Sequence, residues 1–109
     1  MYVIIWKFVV KPDRREEFEE AYGANGAWAE FFQHSSGYLG TELLHFRDAP
    51  GCYLTIDRWD SEESYGAFRS QFALEYQALD QRGESLTESE TQVGTFSSVT
   101  AIQSRPSRE

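Results

Sequence analysis

Residues 38–60 read YLGTELLHFRDAPGCYLTIDRWD, two apolar and aromatic runs on either side of the turn formers DAPG. Runs of this kind, bounded by Asp, Pro and Gly, are the mark of a β-hairpin. Tyr38–Arg47 and Cys52–Asp60 are therefore expected to be antiparallel partners joined by a four-residue turn, Asp48–Gly51. If Arg47 pairs with Cys52, Glu42 falls opposite Asp57 on one face. Just downstream, Asp60 stands three residues before Glu63, the spacing of a capping box, which predicts a helix from Ser61. Tyr65, Phe68, Phe72, Tyr76 and Leu79 then recur at helical spacing and form the stripe that faces the sheet.

Upstream, Tyr2–Val10 (YVIIWKFVV) is apolar at nearly every position, on both alternating faces, and reads as a strand buried on two sides. Pro12 and Asp13 start a helix carrying Phe18, Ala21, Tyr22, Trp28, Ala29 and Phe32 on one face, with a kink or break expected at Gly23 and Gly26. After SSG (Ser35–Gly37) comes the hairpin. Beyond the second helix, the polar stretch Arg82–Glu90 reads as a loop around Gly83, and Thr91–Ile102 as a fourth strand. The order β-α-β-β-α-β predicts an α+β, ferredoxin-like domain over residues 1–102, a four-stranded antiparallel sheet with two helices on one face, and a tail over 103–109. Two helices leave the other sheet face bare, yet the first strand is apolar on both. A second copy of the same sheet, a homodimer, is the simplest cover.

Composition narrows the partners. Ten Lys and Arg against eighteen Asp and Glu leave a net charge of −8, which repels phosphate backbones and anionic bilayers, so neither nucleic acid nor a membrane is expected as a partner. Cys52 is the sole cysteine, which rules out an intrachain disulfide and a thiolate zinc cluster. With no basic leader and no membrane-length apolar run, a cytoplasmic protein is expected. Eight Phe, six Tyr and three Trp exceed what so small a core hides, and they point to an interface or to a cavity for a small hydrophobic or aromatic molecule.

Gly37–Trp59, with GYLGTELL, a short turn and YLTIDRW, followed by DSEESYGAFR, resembles the antibiotic biosynthesis monooxygenase-like family of dimeric αβ barrels. The resemblance implies a homodimer whose sheets pack face to face, with a cleft in each subunit between sheet and helices. Some members oxygenate polycyclic phenols without metal or flavin, others degrade haem, and others act on quinols or as isomerases; the fold does not choose among them. Haem-degrading relatives keep a Trp and a His on the second helix where this chain has Phe68 and Ala78, and an Asn that the first strand lacks. Haem chemistry is not expected.

Asp57 stands at the family's third-strand acidic position, and a carboxylate beside Glu42 would have its pKa raised and could act as a base. The competing reading pairs Asp57 with a cation at the dimer seam. His45, placed by this register in an apolar layer with Leu43, Leu54 and Ile56, could abstract a phenolic proton; a core histidine with one hydrogen bond is the alternative. Trp6, Trp28, Trp59, Phe68, Phe72 and Tyr76 are candidates to line a pocket for a flat ring, Trp59 and Phe68 foremost because of the family positions they occupy. His34 and His45 are not at metal-ligand spacing, and GxGxxG and P-loop patterns are absent, so no metal or nucleotide cofactor is expected. The expected function is that of a cofactor-independent monooxygenase acting on a small aromatic or quinol-type substrate. A non-catalytic small-molecule-binding dimer, and an isomerase or decarboxylase of a small oxo compound, are the alternatives.

Overall fold

In the computed structural model, which describes residues 1–100, four strands form one antiparallel sheet. They are β1 (Tyr2–Val10), β2 (Tyr38–Phe46), β3 (Ala49–Trp59) and β4 (Thr87–Ser97), in spatial order β2-β3-β1-β4. Helices α1 (Arg15–Tyr22) and α2 (Ala27–Phe32) connect β1 to β2, and α3 (Glu62–Gln71) and α4 (Ala73–Glu84) connect β3 to β4. This is the ferredoxin-like α+β arrangement, with each helical connection split in two. The first split falls between Gly23 and Gly26, where the glycines predict it; the second falls at Phe72, whose backbone (φ −113°, ψ 33°) leaves the helical region.

β1 and β3 are the central strands, and their alternation sets the two faces. Ile4, Phe8 and Val10 pack with Tyr53, Trp59, Phe18, Tyr22, Trp28, Phe32 and Phe68 into one core under the helices. Rings meet at centroid separations of 4.3 Å (Phe18 and Tyr22) to 6.1 Å (Tyr22 and Trp28), within the range where aromatic contacts add to simple burial. On the opposite face Val3, Ile5, Val9, Leu54 and Ile56 remain half-buried, and Leu44, Phe46 and Phe96 are 42%, 39% and 45% exposed. The face is bare and apolar, as the two-sided first strand predicts.

Several boundaries differ from the sequence reading. The hairpin turns at Arg47 and Asp48, with Phe46 opposite Ala49, so the turn is two residues rather than the four of DAPG. Pro50 and Gly51 lie inside β3, at an irregularity between the His45 and Phe46 pairs. The consequence is a register one residue away from that expected: Thr41, not Glu42, lies opposite Asp57, and Glu42 lies opposite Ile56. Because side chains alternate, a one-residue slip reverses faces. Glu42 is thereby sent to the outer face, where its Oε1 is 3.3 Å from Arg58 Nη1.

Ser61, not Asp60, caps α3, accepting the Ser64 N–H at 3.1 Å. Gly37 fits against this start: a Cβ there would lie 2.5 Å from Ser64 Cβ and 2.7 Å from Asp60 Oδ1. α4 continues through Gly83, which packs under the Tyr22 hydroxyl, and β4 begins at Thr87 in place of the expected loop. The strand ends at Ser97, so Ser98, Val99 and Thr100 fall outside the strand expected there; the last two residues of that expected strand, to Ile102, and the tail lie outside the described residues.

Candidate functional site

The register that separates Asp57 from Glu42 brings it to the helix face. Two adjacent cross-strand rows stand there: Thr41, Asp57 and Ile4 in one, and Leu43, Thr55, Trp6 and Gln92 in the next. α1, α2, α3 and α4 roof these rows but do not fill the space above them. A cavity of about 330 Å³ remains, walled by Trp6, Phe8, Tyr22, Trp28, Phe32 and Tyr76 and edged by Thr41, Thr55, Asp57, Arg69, Asp80, Glu90 and Gln92. Its volume falls at the lower end of the range of about 300–1,000 Å³ typical of small-molecule sites, and rings with a few polar groups are the usual lining.

Asp57 is the chemically distinctive wall residue. Burial lifts its carboxyl to about 6, opposed by the Thr41 hydroxyl, which donates to Asp57 Oδ1 at 2.6 Å and favours the charged form. The Thr41 oxygen in turn accepts from Tyr38, 2.5 Å away, so a hydroxyl chain runs from Tyr38 through Thr41 to the carboxylate. Among the described residues no cation pairs with Asp57, and the pKa rise comes from burial rather than from a second carboxylate. A carboxyl poised near 6 is mostly ionised at neutral pH yet binds a proton far more readily than a free aspartate.

At the other walls, burial drives the Tyr22 phenol up to about 12 and that of Tyr76 higher still. Both are therefore neutral hydrogen-bonding groups rather than bases. Glu90 is raised by burial and by the neighbouring charges of Asp80 and Glu84. The Arg69 guanidinium stacks 3.8 Å from the Tyr76 ring centroid, and Nη1 donates to the Tyr65 hydroxyl at 3.0 Å.

Of the residues singled out from sequence, Asp57, Trp6, Trp28 and Tyr76 line the cavity. Trp59 and Phe68 lie in the core, against each other at 5.5 Å, and Phe72 packs on Phe31 and Phe68; none of the three is on the cavity wall. His45 is on the helix face of β2 opposite Tyr53, not beside Leu54 and Ile56, and it is exposed, with Nδ1 3.3 Å from the Phe46 carbonyl. It does not reach the cavity. Thr41, Arg69, Glu90 and Gln92 were not singled out from sequence: Thr41 depended on the register, Glu90 and Gln92 sat in or beside a stretch read as a loop, and Arg69 carries no local motif. Among the described residues no cluster of three or more His, Cys, Asp or Glu gathers at metal-binding geometry, and no helix is long and apolar enough to cross a membrane.

Residues 1–78 match the family model of the antibiotic biosynthesis monooxygenases. No curated protein matches the chain at a significant level. Among solved structures, a mutant form of SnoaB from Streptomyces nogalater, a cofactor-independent oxygenase, is similar at 20% identity and a TM-score of 0.75, over 94% of this chain and 97% of that one. A protein from Nitrosomonas europaea, itself provisionally assigned as an antibiotic biosynthesis monooxygenase, is similar at 21% identity and a TM-score of 0.69, over 92% and 100%. At these identities the structural likeness establishes the fold.

Proposed function

The chain belongs to the antibiotic biosynthesis monooxygenase family, and from that premise we propose that its cavity binds a small aromatic or quinol-type molecule and oxygenates it without a cofactor. The observation that carries the reading is a half-buried carboxyl with its pKa raised to about 6, facing an aromatic-walled cavity of about 330 Å³. Asp57 is the base. It takes a proton from an acidic O–H or C–H of the substrate, the electron pair stays on the substrate, and the resulting anion passes one electron to dioxygen. The two radicals combine to form a C–O bond. At a ring methylene, loss of water from the peroxide then leaves a carbonyl, one oxygen atom in the product and one in water; the carbon supplies all four electrons, so no external reductant is needed. The aromatic walls keep water from the anion and the peroxide.

The likeness to SnoaB, a cofactor-independent oxygenase, supports this reading at the level of the fold. The apolar outer face, with Leu44, Phe46 and Phe96 exposed, supports a homodimer formed sheet to sheet. The test is turnover of a panel of hydroquinones and anthrone-like phenols by metal-free protein, in air and under nitrogen, with label from ¹⁸O₂ followed into the product. Oxygen-dependent product carrying one labelled atom, lost in Asp57→Asn, is the expected result. Product formed equally under nitrogen would assign an isomerase or decarboxylase instead, and tight binding with no turnover would assign a binding protein, a reading favoured by the lack of any histidine among the described residues of the cavity wall.

A further inference from the structure

Arg69 is the one cationic side chain among the described residues that line the cavity, and its surroundings are unusual for an arginine. Three carboxylates share the cavity with it, Asp57 from β3, Asp80 from α4 and Glu90 from β4, yet none lies within ion-pair distance of the guanidinium. Aromatic groups hold it instead: the Tyr76 ring beneath it at 3.8 Å and the Tyr65 hydroxyl at 3.0 Å. Burial works against its charge, but the Tyr65 hydrogen bond and nearby negative charge hold its pKa above the ordinary value. Of its five N–H donors, only one is spent on a protein acceptor among the described residues.

We propose that Arg69 is the oxyanion-holding residue of the cavity, and that the substrate enters as a neutral phenol or enol whose negative charge arises only inside, between Asp57 and Arg69. This deepens the function proposed above and rests on it. Asp80 and Glu90 repel a ligand that arrives already charged, such as a free carboxylate, whereas a neutral hydroxyl passes them. Inside, the O–H bond breaks, the proton goes to the Asp57 carboxylate, and the electron pair remains on the substrate oxygen. A phenol of pKa about 10 gives up its proton to a carboxyl near 6 with an unfavourable ratio of about 10⁴. A guanidinium beside the oxygen narrows that gap, since an opposite charge within a few ångströms lowers a pKa by about 1–3 units.

The experiment uses 4-nitrophenol, whose phenolate absorbs visibly, titrated over pH with the full chain in excess, so that the ionisation of the bound phenol is read without any turnover. In Arg69→Gln the bound phenol is expected to ionise about 1–3 pH units higher than in the wild type, with Arg69→Lys returning most of the shift. Arg69→Met, which keeps an apolar stem on Tyr76, repeats the measurement should the glutamine variant lose its circular dichroism. Equal bound-phenol ionisation in wild type and the charge-removing variants overturns the role of Arg69 while leaving the cavity reading intact. No binding of 4-nitrophenol to the wild type, with its spectrum that of the free phenol at every pH, overturns both.

Discussion

Asp57 is held in the folded protein at an energetic disadvantage once it is ionised. Its pKa is raised on folding, from the ordinary carboxylate value to about 6, so the native state binds a proton more tightly than the unfolded chain does. The associated stability is fully present below the unfolded pKa and is lost as the pH rises through the folded one. Two pKa units correspond to about 3 kcal/mol, part of which the partly open cavity screens. Asp57→Asn, which stays neutral, is therefore expected to be more stable than the wild type by about 1–3 kcal/mol at pH 8 and to match it near pH 3, below the unfolded pKa, as read from urea unfolding at both values. An unchanged difference across that range would mean that the carboxyl titrates normally. Asp57 was legible in the sequence as an acidic residue inside an apolar strand; its partner was not, because Thr41 is brought opposite it only by the hairpin register.

At the scale of elements, the errors of reading share one cause. Pro50, Gly51 and Gly83 are poor strand or helix formers, so each invites a turn or loop when local preference alone is weighed. The structure overrides that preference with tertiary contacts. Pro50 and Gly51 fall where the β2–β3 pairing is irregular, and at Gly83 the close approach of the Tyr22 hydroxyl leaves no space for a side chain. Strong local signals survived: the break between α1 and α2, the aromatic stripe of α3 and α4, and the glycine at the start of β2. That glycine and the neighbouring cap can be separated by experiment. Gly37→Ala forces the start of α3 away from β2 and is expected to destabilise by about 1–3 kcal/mol, while Ser61→Ala loses one capping hydrogen bond and costs about 1 kcal/mol. Thermal unfolding of the two variants and their double mutant should show non-additivity, because both act on the same helix start.

For the whole molecule, the bare sheet face is the feature that local patterns announce best, since a strand apolar on both faces needs cover on both. Leu44 and Phe96 are exposed on that face and remote from the core, so charging them should leave the fold intact. Leu44→Asp with Phe96→Asp is expected to convert a sheet-to-sheet dimer to a monomer in sedimentation equilibrium, with unchanged circular dichroism. A wild type already monomeric at micromolar concentration would refute the proposed dimer.

β1 and β3 form the floor of the cavity and the middle of the bare face at once. In β1 the even positions, Ile4, Trp6 and Phe8, look toward the helices and the odd ones, Val3, Ile5 and Val9, look away; in β3 Thr55 and Asp57 look inward while Leu54 and Ile56 look out. The proposed chemistry and the proposed dimer are thus written on the same two strands as interleaved alphabets, readable by parity. Substitutions at one parity change the cavity floor and leave the outer face as it is, so on the proposed function specificity and association are free to evolve separately. A single-residue insertion in either strand has no such freedom: it exchanges the two alphabets downstream, putting Asp57 or its neighbours on the wrong side of the sheet and disabling both at one stroke.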